Sequence, residues 1–312
     1  GKVGVTANSV SITDVNNGST TKAGTITSAT VENYTTLNFN GNALSTLNVK
    51  GGSSNIIIDN SGLTTPTNKT LNLSVDGLTG GTLDDDDIYT SLNVSTKYTG
   101  ASTTTTSTLA NVTFGALTNL NVSGDKVLVL TSSAGASALV DVAVTGSAGL
   151  TSTFAATTMK TINTSGTTGT ATITFDATKA TYTGGAGKDV VTTSATAPTK
   201  VISLGGGDDS LTLASGTTAV TGAISGGDGN DTLSMVVADA ATADNDLAFS
   251  ALVTGFEQLT LTGSTGAQGV VLSNLGLTSK ETVATGSGTT TFPDFANAGN
   301  LTLTGDRAGD PV

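Results

Sequence analysis

The sequence predicts an all-β protein, an elongated parallel β-helix or β-roll solenoid with irregular insertions. Three observations predict it. A short alternating phrase recurs along the chain, with many copies roughly 20–24 residues apart, the spacing of solenoid coils. The apolar residues are mainly Val, Ile, Leu and Ala, interleaved with Thr, Ser, Asn and Gly, and β-branched residues favour strands. Three Gly-rich turns each end in an Asp that stands two residues before an apolar residue (Val191, Leu211, Leu233).

The phrase reads apolar-polar-apolar-polar followed by Gly or a near equivalent. Its copies begin at Leu37, Leu47, Leu71, Leu92, Leu120, Val142, Ile162, Ile202, Leu259 and Leu301. Alternation with period two marks a half-buried strand, and the trailing Gly marks a turn. A uniform coil of about 20 residues would give about 15 coils. Residues 1–115 are the irregular part; short strands with frequent turns there fit a solenoid or an antiparallel Ig-like sandwich. Residues 116–235 carry the regular beat. Residues 236–258 read as an excursion with a short helix at Asp246–Val253, because Thr, Gly and β-branched residues thin out there. Residues 259–312 resume the solenoid.

Composition excludes several function classes. The 312 residues carry 24 acidic against 12 basic side chains, a net charge of -12, with no Cys and no His. Thiol chemistry, zinc sites and His-based catalysis are therefore absent. The lack of a basic patch argues against nucleic acid as a partner. No apolar run is long enough to span a membrane. The start, "GKVGVTANSV", has no Met and no signal peptide, as a fragment or a processed piece would. Of the acids only Glu32, Glu257 and Glu281 are Glu; the rest are Asp, a turn residue and a ligand for hard cations.

The three turns fit the pattern G-G-x-G-x-D-x-U-x, where U is a large apolar residue. The first is Gly184, Gly185, Ala186, Gly187, Lys188, Asp189; the second is Leu204, Gly205, Gly206, Gly207, Asp208, Asp209; the third is Gly226, Gly227, Asp228, Gly229, Asn230, Asp231. Leu204 departs from the pattern at its first position. The aspartates are 20 and 22 residues apart, one coil each, so the turns should stack on one edge. Calcium takes 6–8 oxygen ligands and accepts backbone carbonyls. Gly allows the positive φ that turns successive carbonyls toward an ion, and Asp adds charge from a short side chain. A half-site on one coil needs the half-site on the next, so three turns predict about two ions.

These motifs resemble the RTX family of calcium-dependent proteins exported by Gram-negative type I secretion. The likeness is specific over Gly184–Leu233, and the Thr-, Gly-, Ala- and Asn-rich composition extends it to RTX-type surface-layer (S-layer) proteins of stalked aquatic bacteria. The resemblance implies a secreted, extracellular structural protein that calcium folds and assembles into a crystalline layer with copies of itself. Anchoring to lipopolysaccharide would run through a domain not in this chain.

Weaker acidic candidates lie outside the repeat. Asp84, Asp85, Asp86 and Asp87 are adjacent and repel one another unless a cation or hydrogen bonds offset the charge. Asp76, Asp125, Asp306 and Asp310 sit in Gly-containing turns, where a lone Asp is ordinarily a turn former. Two other functions stay open. An RTX adhesin or surface-binding module would use the same repeat plus a recognition patch. A β-helical polysaccharide lyase or epimerase would need an acid and base in a cleft; Arg307 is the sole Arg, and the expectation is that the chain is not an enzyme.

Overall fold

The computed structural model describes residues 8–97, 99, 106–263, 267–277, 280–284, 289–294 and 300–304. It divides into two compact units, residues 1–172 and 173–312. Both are parallel β-solenoids; successive strands go alternately to two main sheets, except near the end of the second unit, where two strands form a short third sheet.

In the first unit one sheet holds Asn8–Thr13, Tyr34–Asn40, Ile56–Asp59, Thr82–Asp85, Thr106–Thr113, Val127–Ser132 and Leu150–Thr153; the other holds Ser28–Glu32, Thr46–Lys50, Thr70–Asp76, Ser91–Lys97, Asn119–Gly124, Asp141–Gly146 and Thr161–Thr167. The recurrent phrase sets the register. Leu71 pairs with Leu92, Leu92 with Leu120, Leu120 with Val142 and Val142 with Ile162. All five are buried, so each coil lays its apolar residues on those of the next and no edge is left between coils. Parallel pairing holds throughout the described residues before 115. That stretch is therefore solenoid and not an antiparallel sandwich; short strands with frequent turns are common to both, but only stacked coils can set like residue on like residue.

The coils are less uniform than a 20-residue beat. Val142 meets Ile162 after 20 residues, whereas Leu92 meets Leu120 after 28. Loops at the corners absorb the difference, so about 11 coils form among the described residues where a uniform repeat would give about 15. Aromatic residues fill some of the corners. In the first unit Tyr89 stacks obliquely on Phe114 at 5.6 Å, and its hydroxyl donates to the Leu44 carbonyl at 2.6 Å.

Facing outward on the second-named sheet are columns of polar residues. Asn93 Nδ2 donates to Asn72 Oδ1, and Asn121 Nδ2 donates to Asn93 Oδ1, both at 2.8 Å. Beside them runs a column of alternating charge. Glu32 pairs with Lys50, Lys50 with Asp76, and Asp76 with Lys97. The Thr96–Gly124 pair then brings Asp125 alongside Lys97.

The second unit repeats the plan. One sheet holds Asp189–Thr193, Ser210–Thr212, Thr232–Val236, Gln258–Thr262, Lys280–Ala284 and Asn300–Thr304; the other holds Thr181–Thr183, Ile202–Gly206, Ile224–Asp228 and Val253–Thr254, and Ala267–Gly269 pairs with Thr289–Thr291 in a separate short sheet. The excursion after Val236 contains two short helices, Val237–Ala243 and Leu247–Leu252. The second lies where the sequence places a helix, with the Asp246 carboxylate accepting from Ala248 N at 2.9 Å as its N-cap. The first is Ala-rich and buries Val237, Ala240 and Ala243. Among the described residues no helix is long and apolar enough to cross a membrane.

Candidate metal centre

The second unit stacks the three Gly-rich turns at one corner, where each connects its two sheets. On one side Tyr182 pairs with Ile202 and Ile202 with Ile224; Gly205 then pairs with Gly227 and Gly206 with Asp228. On the other Val190 pairs with Ser210 and Ser210 with Thr232. This register is the one obtained by aligning the motifs on their aspartates. It is held by Val191, Leu211 and Leu233, which are fully buried in the core.

Asp189, Asp209 and Asp231 consequently form a column, and each is at most 2% exposed. A backbone ladder links them. Asp189 N donates to Asp209 Oδ1 at 2.7 Å, and Asp209 N donates to Asp231 Oδ1 at 2.8 Å. The column continues one rung further, with Asp231 N donating to Glu257 Oε2 at 2.8 Å. Glu257 belongs to no motif, because the turn Gly255-Phe256-Glu257 is three residues shorter than Gly226–Asp231. Its signal is visible only when the strands are aligned. Leu233 pairs with Leu259, which sets Glu257 opposite Asp231.

Asp209 and Asp231 are short of partners. Asp209 Oδ2 and Asp231 Oδ2 are buried and accept no hydrogen bond. Burial pushes the Asp209 carboxyl up to about 6, and the nearby Asp231 and Asp208 charges add to this, against the Asp189 N–H and Lys188. Asp231 is raised as well, by burial first and then by Glu257, Asp208 and Asp228. Ionising these groups at neutral pH without a counter-charge is costly. The backbone around them is built for close approach. Gly227 has φ of +111° and Gly229 of +147°, conformations that L side chains rarely adopt. Gly207 N donates to the Asp228 carbonyl and Gly206 N to the Gly185 carbonyl, so the turns are tied coil to coil.

The remaining predicted residues divide into wall and rim. Leu204 occupies the position of a Gly, and its side chain is buried in the core; only its carbonyl reaches the corner, at Gly184. Ala186 and Asp228 are exposed on the rim, with Gly187 beneath the next turn. No group of three or more acidic side chains among the described residues converges closely enough to hold a metal by itself. A cation here would depend on the turn carbonyls, with one carboxylate or two for charge. Calcium accepts that donor set; zinc, which prefers nitrogen and sulfur, does not. The orphaned, buried carboxylate oxygens and the Gly-lined turns therefore fit calcium.

The adjacent aspartates of the first unit are not brought together. Asp84 accepts from the Thr113 hydroxyl. Asp85 turns inward and accepts from Asp87, Ile88 and Tyr89 N. Asp86 accepts from Ser61 N at 2.9 Å, and Asp87 from Gly115 N. Alternate facing and hydrogen bonds offset the repulsion. Asp86 also lies beside Asp59, whose carboxyl is raised by burial and by Asp86. Asp76 and Asp125 stand in the alternating charge column. Asp306 and Asp310 lie outside the described residues. In comparisons with known proteins, no family model and no curated sequence matches the chain.

Proposed function

We propose that the protein is a calcium-dependent structural protein, folded and assembled outside the cell into a layer of its own copies, and that it has no catalytic role. The observation that carries the calcium part is the column Asp189–Asp209–Asp231, buried and with carboxylate oxygens left without hydrogen bonds in Asp209 and Asp231. Calcium would lie between successive turns, where carbonyls supply most of its ligands and the aspartates its counter-charge. Millimolar calcium outside the cell would complete folding of the second unit only after export. The assembly part is supported by composition. The chain has no His and one Arg, and the outward Asn72–Asn93–Asn121 ladder offers repeated contacts.

Electron microscopy of the purified chain, with millimolar calcium and then with a chelator, tests this reading. Ordered sheets that disappear on chelation are expected. Dispersed particles in both conditions would overturn self-assembly. The outward Asn72–Asn93–Asn121 ladder favours a second reading, a surface-binding module that takes a glycan on this flat, uncharged strip; it predicts monomers that bind isolated cell-surface polysaccharide.

A further inference from the structure

We propose that the short turn Gly255–Glu257 closes a third calcium site beneath the Gly226–Asp231 turn, with Glu257 supplying its second carboxylate. The inference rests on the calcium reading above and adds a site that the three motifs do not contain. Three turns enclose two gaps. The structure places a fourth turn under the third and gives the new gap the same construction as the first.

Two features repeat. The first is the ladder: Asp231 N meets Glu257 Oε2 at 2.8 Å, as Asp209 N meets Asp231 Oδ1. The second is the convergence of oxygens on the leading Gly of the first and third turns. A Cβ on Gly184 would lie 1.7 Å from the Leu204 carbonyl oxygen and 2.2 Å from Asp189 Oδ2. A Cβ on Gly226 would lie 1.8 Å from the Gly255 carbonyl oxygen and 2.7 Å from Asp231 Oδ2. Both gaps thus pair a carbonyl of the following coil with a carboxylate oxygen of their own coil, in space that only Gly leaves open. Asp231 is fully buried and its Oδ2 accepts no hydrogen bond. That oxygen is aimed at the proposed site.

Glu suits the fourth turn on geometric grounds. With three residues fewer, the backbone leaves the corner early, and Glu257 N and Gln258 N both donate to the Asp231 carbonyl. The extra methylene of Glu brings a carboxylate back under Asp231. Phe256, 6% exposed, covers the turn. A purely structural Glu257 would serve only to accept the Asp231 N–H, and a Gln amide oxygen would do that equally well. A ligand for calcium needs the charge.

The test is calcium titration of the whole chain by isothermal calorimetry, comparing it with Glu257→Gln. The variant should bind one ion fewer per chain, with its melting temperature in chelator no lower, since a Gln oxygen keeps the bond from Asp231 N and a like charge beside Asp231 is removed. Equal stoichiometry and affinity in both proteins would overturn the third site while leaving the calcium reading intact. No calcium binding by the parent chain would overturn both. Should Glu257→Gln fail to fold, hydrogen exchange of the parent decides: calcium should slow exchange at the Glu257 and Gln258 amides, and unchanged exchange there would overturn the site.

Discussion

Asp14 and Asp209 are both buried carboxylates, yet their surroundings move them in opposite directions. Asp14 accepts from Asn16 N, Thr25 N and Ile26 N; the Asn16 bond is the strongest influence, and together these donors outweigh burial and lower its pKa. Asp209 accepts fewer bonds, and burial raises it to about 6. The consequences for stability have opposite signs. A lowered Asp stabilises the fold at neutral pH and loses that contribution as pH falls through its folded value. A raised Asp favours the protonated fold, so in chelator the second unit should gain stability as pH drops from 7 toward the ordinary carboxylate range. Thermal melts at pH 7 and pH 5, with and without calcium, check this: the acid-side gain should appear in chelator and shrink when calcium is bound. Asp14→Ala should cost about 3 kcal/mol, since it orphans several backbone donors. Urea unfolding should show that loss with or without calcium.

At the scale of the element, register carries the electrostatics. The Asp76 carboxyl is raised by burial, but the Thr99 hydroxyl and N–H, then Lys50 and Lys97, lower it overall. Lys97→Glu would set three acids in succession, Asp76, Glu and Asp125. Like charges directly opposite on neighbouring strands destabilise, and about 1 kcal/mol is expected here. The loss should fall as salt is added, because the site is exposed; melts at low and high ionic strength would show it. At the candidate corner the constraint is steric. Gly227→Ala would place a Cβ 1.9 Å from the Gly205 carbonyl oxygen at a φ of +111°. It should therefore lower both the stability of the second unit and its calcium affinity, as a paired melt and titration would reveal.

For the whole molecule, a net charge of -12 makes cations a general stabiliser, so specificity must be read against magnesium. Magnesium demands near-octahedral geometry and gives up water reluctantly. It should raise the melting temperature far less than equimolar calcium, and equal effects would point to charge screening alone. Much of this was legible without coordinates. The recurrent phrase announced coils because period-two alternation is a local property of the segments at Leu71, Leu92 and Leu120, and its recurrence at coil spacing is readable in the sequence. The motif spacing placed Asp189, Asp209 and Asp231 in one column because whole coils separate them. Which of the two sheets a given phrase joins was not legible, since Leu37–Gly41 and Leu47–Gly51 read alike and enter different sheets. The sequence by itself determined the alternating strands and the three Gly-rich turns, set by neighbours within a few residues, and the coil through the spacing at which they recur. Only the tertiary structure decided that Glu257 joins the aspartate column, that Asp84–Asp87 disperse, and that Glu32, Lys50, Asp76, Lys97 and Asp125 alternate. Those relations depend on separations of 18 to 29 residues between paired positions, and a loop's length sets the register of its strands only once the coils have packed.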